Sequence, residues 1–243
     1  MKHTLPLFQG TIFNEKYSAG AKTDYAVLLL HGYPSTDNKN EYIAEFITEN
    51  LNHDAYIFHY EGLGNSHGLF SFPKSITDAI AYYEWLVRIQ AYKHITIIGH
   101  SWGGLIALNI ITKVDTRAVD KLILMSPYNY FPTGTELNKL VDALFLETKT
   151  EFKQSKEEMI NQVKTVISNF QPRSQLDLIK SFTKPVHILQ AARDLEVPPI
   201  TTEEFVSTIK QENFSIDKID TDHSFTENRK VFLDKFIRAM RSK

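Results

Sequence analysis

Five consecutive residues, Gly99-His100-Ser101-Trp102-Gly103, carry the clearest chemical signal in the chain. They fit G-x-S-x-G, a pattern that presents a serine hydroxyl at the apex of a sharp strand-to-helix turn. The context agrees. An apolar run, Ile95 to Ile98, precedes the turn, and a helical pattern opens at Leu105. So tight a turn leaves no room for side chains two residues to either side of the serine, and Gly99 and Gly103 meet that demand. Gly104 extends the clearance. The N-terminus of the following helix adds positive potential where negative charge would develop on a reacting carbonyl oxygen. A serine hydroxyl is a weak nucleophile unaided, so Ser101 calls for a proton acceptor elsewhere in the chain.

The elements that must position it alternate. Ala26 to Leu30, Ala55 to Phe58, Ile95 to Ile98, Leu122 to Met125 and Val186 to Leu189 read as buried strands. Phe214 to Ile219 alternates and reads as an edge-side strand, and Leu7 to Glu15 offers a further strand or hairpin. Helical spacing marks Glu41 to Leu51, Ser75 to Gln90 with Pro73 as a breaker before it, Leu105 to Ile111, Thr201 to Ile209 and Asn228 to Met240. The fold class that follows is α/β: a mostly parallel central sheet with helices on both faces. The 243 residues suit a single domain. From 128 to 175 no strand is evident. Leu137 to Leu146 and Met159 to Phe170 read as two amphipathic helices, and an insertion of that length predicts a small helical lid.

These motifs resemble the α/β-hydrolase superfamily, and in particular the small-lidded bacterial carboxylesterases that include cinnamoyl and feruloyl esterases. The similarity runs from His31-Gly32-Tyr33-Pro34 to Asp222-His223-Ser224-Phe225 and is weakest in the expected lid. It implies the chain order serine, acid, histidine. Two histidines follow Ser101. His187 lies within an apolar strand, as a satisfied core histidine would. His223 follows the last strand and matches the family's histidine motif, so it is the expected base. The resemblance also implies Asp194 as the acid, in a strand-loop similar to L-x-G-x-x-D-x-x-V-P, although Ala191 stands where a glycine is common. Glu196 and Asp222 remain rivals for that role. For the oxyanion, the resemblance implies the backbone N–H groups of Tyr33 and Trp102. Fixed donors of this kind stabilise developing charge without reorganising.

Tyr128, Tyr130 and Phe131 are expected to line a substrate pocket. Glu61 to Gly68 holds closely spaced glycines that a phosphate cradle could use. It reads instead as a structural turn near the site: Gly62, Gly64 and Ser66 match the family's turn, while Glu61 replaces its usual arginine. His53, His59, His67 and His94 lack ligand spacing, so no metal and no cofactor is expected. A formal net charge of −2 gives no field to attract nucleic acid, and the lysines between 149 and 164 alternate with glutamates on a solvated face. The chain has no cysteine, no apolar run near the length of a membrane span and no signal-like N-terminus, which together fit a cytoplasmic protein. The expected activity is cleavage of a small-molecule carboxylic ester through an acyl-enzyme. Thioester or amide cleavage on the same residues, or a ligand sensor on a hydrolase scaffold, are the alternatives. The sequence carries no signal of oligomeric state.

Overall fold

A computed structural model describes residues 1–34 and 40–242. Six strands run parallel: β3 (Tyr25–Leu30), β4 (Asp54–Phe58), β5 (His94–His100), β6 (Val119–Met125), β7 (Val186–Ala191) and β8 (Phe214–Ile219). The early hairpin adds two antiparallel strands, β1 (Lys2–Thr4) and β2 (Asn14–Tyr17), on the outer side of β4. The sheet order is β1-β2-β4-β3-β5-β6-β7-β8, so the first parallel strand sits inside and the chain winds outward both ways.

The apolar runs make this sheet because both of its faces are covered. Along β3, Ala26, Leu28 and Leu30 enter one core while Val27 and Leu29 enter the other. The second core is closed by α1 (Glu41–Asn50) and α8 (Arg229–Arg241), through Ile43, Ile47, Phe232 and Phe236. The first is closed by α2 (Phe72–Arg88) and α3 (Trp102–Lys113), through Ile76, Tyr82, Leu105 and Ile106. Pro73 does not delay α2. The helix starts at Phe72, capped by Ser71, whose hydroxyl accepts from the amide of Lys74 at 3.4 Å. Proline is tolerated in the first turn because its missing N–H would have no intrahelical partner there.

Between β6 and β7 lie α4 (Gly134–Thr148) and α5 (Lys156–Phe170), then a short α6 (Leu176–Lys180). Ser155 and Glu158 form a reciprocal capping box at the start of α5. α4 packs on α5, and α5 on α2. A final helix, α7 (Pro199–Ile209), joins β7 to β8. No helix among the described residues is long and apolar enough to cross a membrane.

The ladder register fixes where chemistry can occur. Leu30 pairs with Gly99, and His100 with Met125. The loops after β3, β5, β6 and β7 therefore leave the sheet side by side at its carboxyl edge, where open α/β sheets bind ligands.

Candidate active site

Ser101 sits at φ 52°, ψ −114°, a conformation that L-residues rarely adopt. The neighbouring backbone makes it possible only with glycine on either side. A Cβ at Gly99 would run into the Gly103 carbonyl, and one at Gly103 into the carbonyl of Leu30. A Cβ at Gly104 would come within 2.6 Å of Pro127. The Ser101 amide donates to Met125 O at 2.9 Å, and its carbonyl accepts from Tyr128 N at 2.9 Å, so β6 clamps the turn from one side. On the other side a Cβ at Gly32 would lie 3.3 Å from Ser101 Cβ, which brings the His31–Pro34 segment against the turn. Trp102 opens α3, where the first amides of a helix have no internal acceptor. Among the described residues, neither the Trp102 amide nor that of Tyr33 donates a hydrogen bond.

His223 and Asp194 meet from two loops. Nδ1 of His223 donates to Asp194 Oδ2 at 2.7 Å, and the two residues are 7% and 3% exposed. Asp194 Oδ1 accepts from the amides of Val197 at 2.7 Å and Glu196 at 3.0 Å. Burial opposes ionisation of Asp194. The imidazole of His223, the Val197 amide and the hydroxyl of Ser126 outweigh it and hold the carboxyl below its ordinary value. The carboxylate is therefore charged at neutral pH, and it can only accept the proton that His223 Nδ1 offers.

The rivals for the acid fall elsewhere. Asp222 turns away to accept from the Thr226 amide at 2.9 Å and its hydroxyl at 2.7 Å. Glu196 lies on the opposite edge of the ring, with Oε2 3.5 Å from His223 Nε2. No hydrogen bond among the described residues joins Ser101 Oγ to His223 Nε2. Such bonds are often long in unliganded sites and tighten with substrate. The His223 loop reaches the turn through His100, whose Nε2 donates to His223 O at 2.8 Å. His187 is satisfied far from this centre by the hydroxyls of Ser215 at 2.9 Å and Ser242 at 2.6 Å.

A cavity of about 310 Å³ opens beside Ser101. Tyr33, Phe72, Trp102, Tyr128 and Phe131 line its inner part, Leu140, Leu144 and Val163 come from α4 and α5, and Glu147, Leu195 and Glu196 complete it. Of the three aromatic residues singled out in the sequence, Tyr128 and Phe131 line this cavity. Tyr130 does not. It is 39% exposed, with its ring 4.7 Å from the Arg173 guanidinium. Residues 127–133 form neither helix nor strand, so no regular period relates the directions of their side chains. Phe72 and Glu147 were not foreseen, nor which side chains of the two expected lid helices would face the cavity. The amphipathic pattern of those helices was visible, but not which neighbours they would share.

The turn from Glu61 to Gly68 is structural. Gly62 and Gly68 hold φ of 76° and 85°, Ser66 Oγ accepts from Phe13 N at 2.9 Å, and Glu61 pairs with Lys74 at 2.8 Å. The charge of Glu61 thus ties the turn to α2. Among the described residues no group of three or more His, Asp or Glu is arranged to hold a metal ion.

Comparison with known proteins shows the family and the fold. The serine aminopeptidase S33 family matches over residues 21–169, from before β3 to the end of α5. The chain belongs to that family. It is 30% identical over 118 residues to a lysophosphatidylserine lipase, ABHD12, of Danio rerio, a match covering 47% of this chain and 31% of that protein. The chain therefore spans less than a third of the length of that curated relative. Among solved structures it resembles an esterase from Exiguobacterium antarcticum, with a TM-score of 0.77 and 20% identity over the whole of both chains. A putative lipase from Acinetobacter baumannii aligns with a TM-score of 0.74 and 18% identity, over 98% of this chain and 91% of that one. At such identities the structural likeness shows an α/β-hydrolase fold, and the family match makes the chain a hydrolase-family member.

Proposed function

We propose that this protein hydrolyses small carboxylic esters through an acyl-enzyme on Ser101. One observation carries the reading: a strained serine, flanked by obligatory glycines, faces an apolar cavity beside a buried Asp194–His223 pair. Ser101 Oγ attacks the ester carbonyl carbon while His223 Nε2 takes the hydroxyl proton. Negative charge gathers on the carbonyl oxygen, and the Tyr33 and Trp102 amides, which have no acceptor among the described residues, supply its donors. The C–O bond then breaks, and the leaving alkoxide takes the proton from His223. Water repeats the sequence, again through His223, and releases the acid and the free serine. Asp194 orients the imidazole and offsets its positive charge. α4 and α5 act as the lid, and the chain from β1 to α8 forms one domain around this site.

The cavity walls suit an apolar acyl or aromatic-acyl group. Its two carboxylates, Glu147 and Glu196, have no ion pair with a lysine or arginine among the described residues. They favour uncharged substrates over anionic ones. Lysophosphatidylserine, named for the curated relatives, has a headgroup whose phosphate and carboxylate outweigh its ammonium, and this net negative charge suits such a rim poorly. The same carboxylates support a second reading, in which the ammonium group of an aminoacyl substrate is held there and an amide is cut.

Labelling with a fluorophosphonate probe, beside turnover of p-nitrophenyl esters, acyl thioesters and aminoacyl amides, tests these readings. Ser101→Ala is expected to abolish both labelling and ester turnover. Labelling that survives the substitution would move the nucleophile elsewhere. Brisk amide cleavage with no ester turnover would select the second reading. Tight ligand binding with only a few turnovers per hour would point to a sensor.

A further inference from the structure

The loop that carries His223, residues 220–228, is held mainly to itself and to its flanks. Thr221 Oγ1 donates to Glu227 O at 2.7 Å, and Arg193 pairs with Asp220 at 2.7 Å. Phe225 is fully buried against Phe232 of α8, with ring centroids 5.2 Å apart. Asp194 fixes the rotation of the His223 ring. None of these contacts sets where the loop lies relative to Ser101.

One contact does. Among the hydrogen bonds of the described residues, only that from His100 Nε2 to His223 O, at 2.8 Å, joins the turn at Ser101 to this loop. A carbonyl can only accept, so the proton lies on His100 Nε2. The His100 ring also lies 4.8 Å from the His223 ring and 6.1 Å, edge to face, from Phe225. On its other side, a Cβ at Gly32 would come within 3.2 Å of His100 Nδ1. One imidazole therefore spans the segment before Tyr33, the nucleophile's turn and the base's loop. His100 precedes Ser101 directly, so its backbone cannot shift without moving the nucleophile.

We propose that His100 is a positioning residue: its N–H, donated to the carbonyl of residue 223, holds the base in register with the Ser101 hydroxyl. The proposal rests on the reading of Ser101 and His223 given above. It makes the first variable position of the G-x-S-x-G turn part of the proton path's geometry, although His100 itself need not touch substrate. A misplacement of about 1 Å between reacting groups can cost on the order of 10²-fold in rate.

The test compares His100→Met with His100→Gln. The two side chains are similar in length, but only glutamine offers an N–H. With a neutral p-nitrophenyl ester, His100→Met is expected to lower kcat by about 10- to 100-fold with KM nearly unchanged. His100→Gln is expected to restore kcat to within a few-fold of wild type. Thermal unfolding of both variants checks that the fold is kept. Wild-type kcat in His100→Met, or equal loss in both folded variants, would overturn the proposal. Ser101→Ala separates the two levels. If it is inactive while His100→Met is unimpaired, only the role of His100 falls. If Ser101→Ala still hydrolyses ester, the underlying reading falls and this proposal with it.

Discussion

His59, at the carboxyl end of β4, makes the stability of this protein depend on pH in a calculable way. It is 7% exposed, its Nε2 has no hydrogen-bond partner among the described residues, and its ring lies 5.3 Å from that of His31. Burial, aided by the charge of Lys2, lowers its pKa from 6.5 to about 4. The folded protein thus keeps His59 neutral where the unfolded chain would protonate it. Stability from this group is complete above the unfolded value and is lost as pH falls toward the folded one. Between about pH 8 and pH 5 the linkage integral gives a loss of ~2 kcal/mol. His59→Phe keeps an aromatic ring and removes the proton site. Urea unfolding of both proteins across that range is the assay. The wild type is expected to lose ~2 kcal/mol more than the variant, since all other groups titrate in both. Parallel stability curves would refute the reasoning, because they would mean that His59 binds its proton as readily folded as unfolded.

Two further outcomes are expected near the site. Glu147→Gln and Glu196→Gln should each raise kcat/KM for an anionic ester about 5-fold relative to its neutral counterpart, from roughly 1 kcal/mol of repulsion removed. The gain should shrink in high salt, and an unchanged ratio would show that the rim does not sense charge. Asp194→Asn should lower kcat by about 10⁴-fold if the carboxylate sets the imidazole tautomer. Because the folded carboxyl sits below its ordinary value, its stabilising effect is present above about pH 4 and is lost as pH falls through the folded value. Acid unfolding of the variant should therefore be less steep than that of the wild type.

What the sequence revealed follows how local each feature is. The turn at Ser101 is written in five residues, since only glycine fits where Gly99 and Gly103 meet neighbouring backbone. The buried strands were legible because a sheet covered on both faces needs unbroken apolar runs. Choosing between Asp194 and Glu196 was harder, for they lie two residues apart on one loop. The backbone separates them: it folds the Glu196 and Val197 amides onto Asp194 and leaves Glu196 on the other edge of the imidazole. Tyr130 falls outside the cavity because residues 127–133 form neither helix nor strand, so no period in the sequence says which of their side chains face it. Which side chains of α4 and α5 would line the cavity was hidden for a similar reason. Helical spacing reveals an apolar face but not what it will cover. His100 and Ser126 stayed out of view because each works through a contact with a distant segment.

The helices α4 and α5 are fastened to the rest by a few polar anchors. The Phe72 amide donates to Gln162 at 2.9 Å, Gln154 donates to Phe70 O at 2.7 Å, Asn109 of α3 donates to Phe170 O at 2.8 Å, and the Tyr33 hydroxyl donates to Thr148 at 3.2 Å, beside the apolar contact of α5 with α2. Of these four, only the Tyr33 bond reaches a segment beside the Ser101 turn, and none touches the His223 loop. This division makes the roof of the pocket an exchangeable part. Lineages or engineers could remodel it to admit a longer, bulkier or differently charged guest while the bond-breaking apparatus stays as it is.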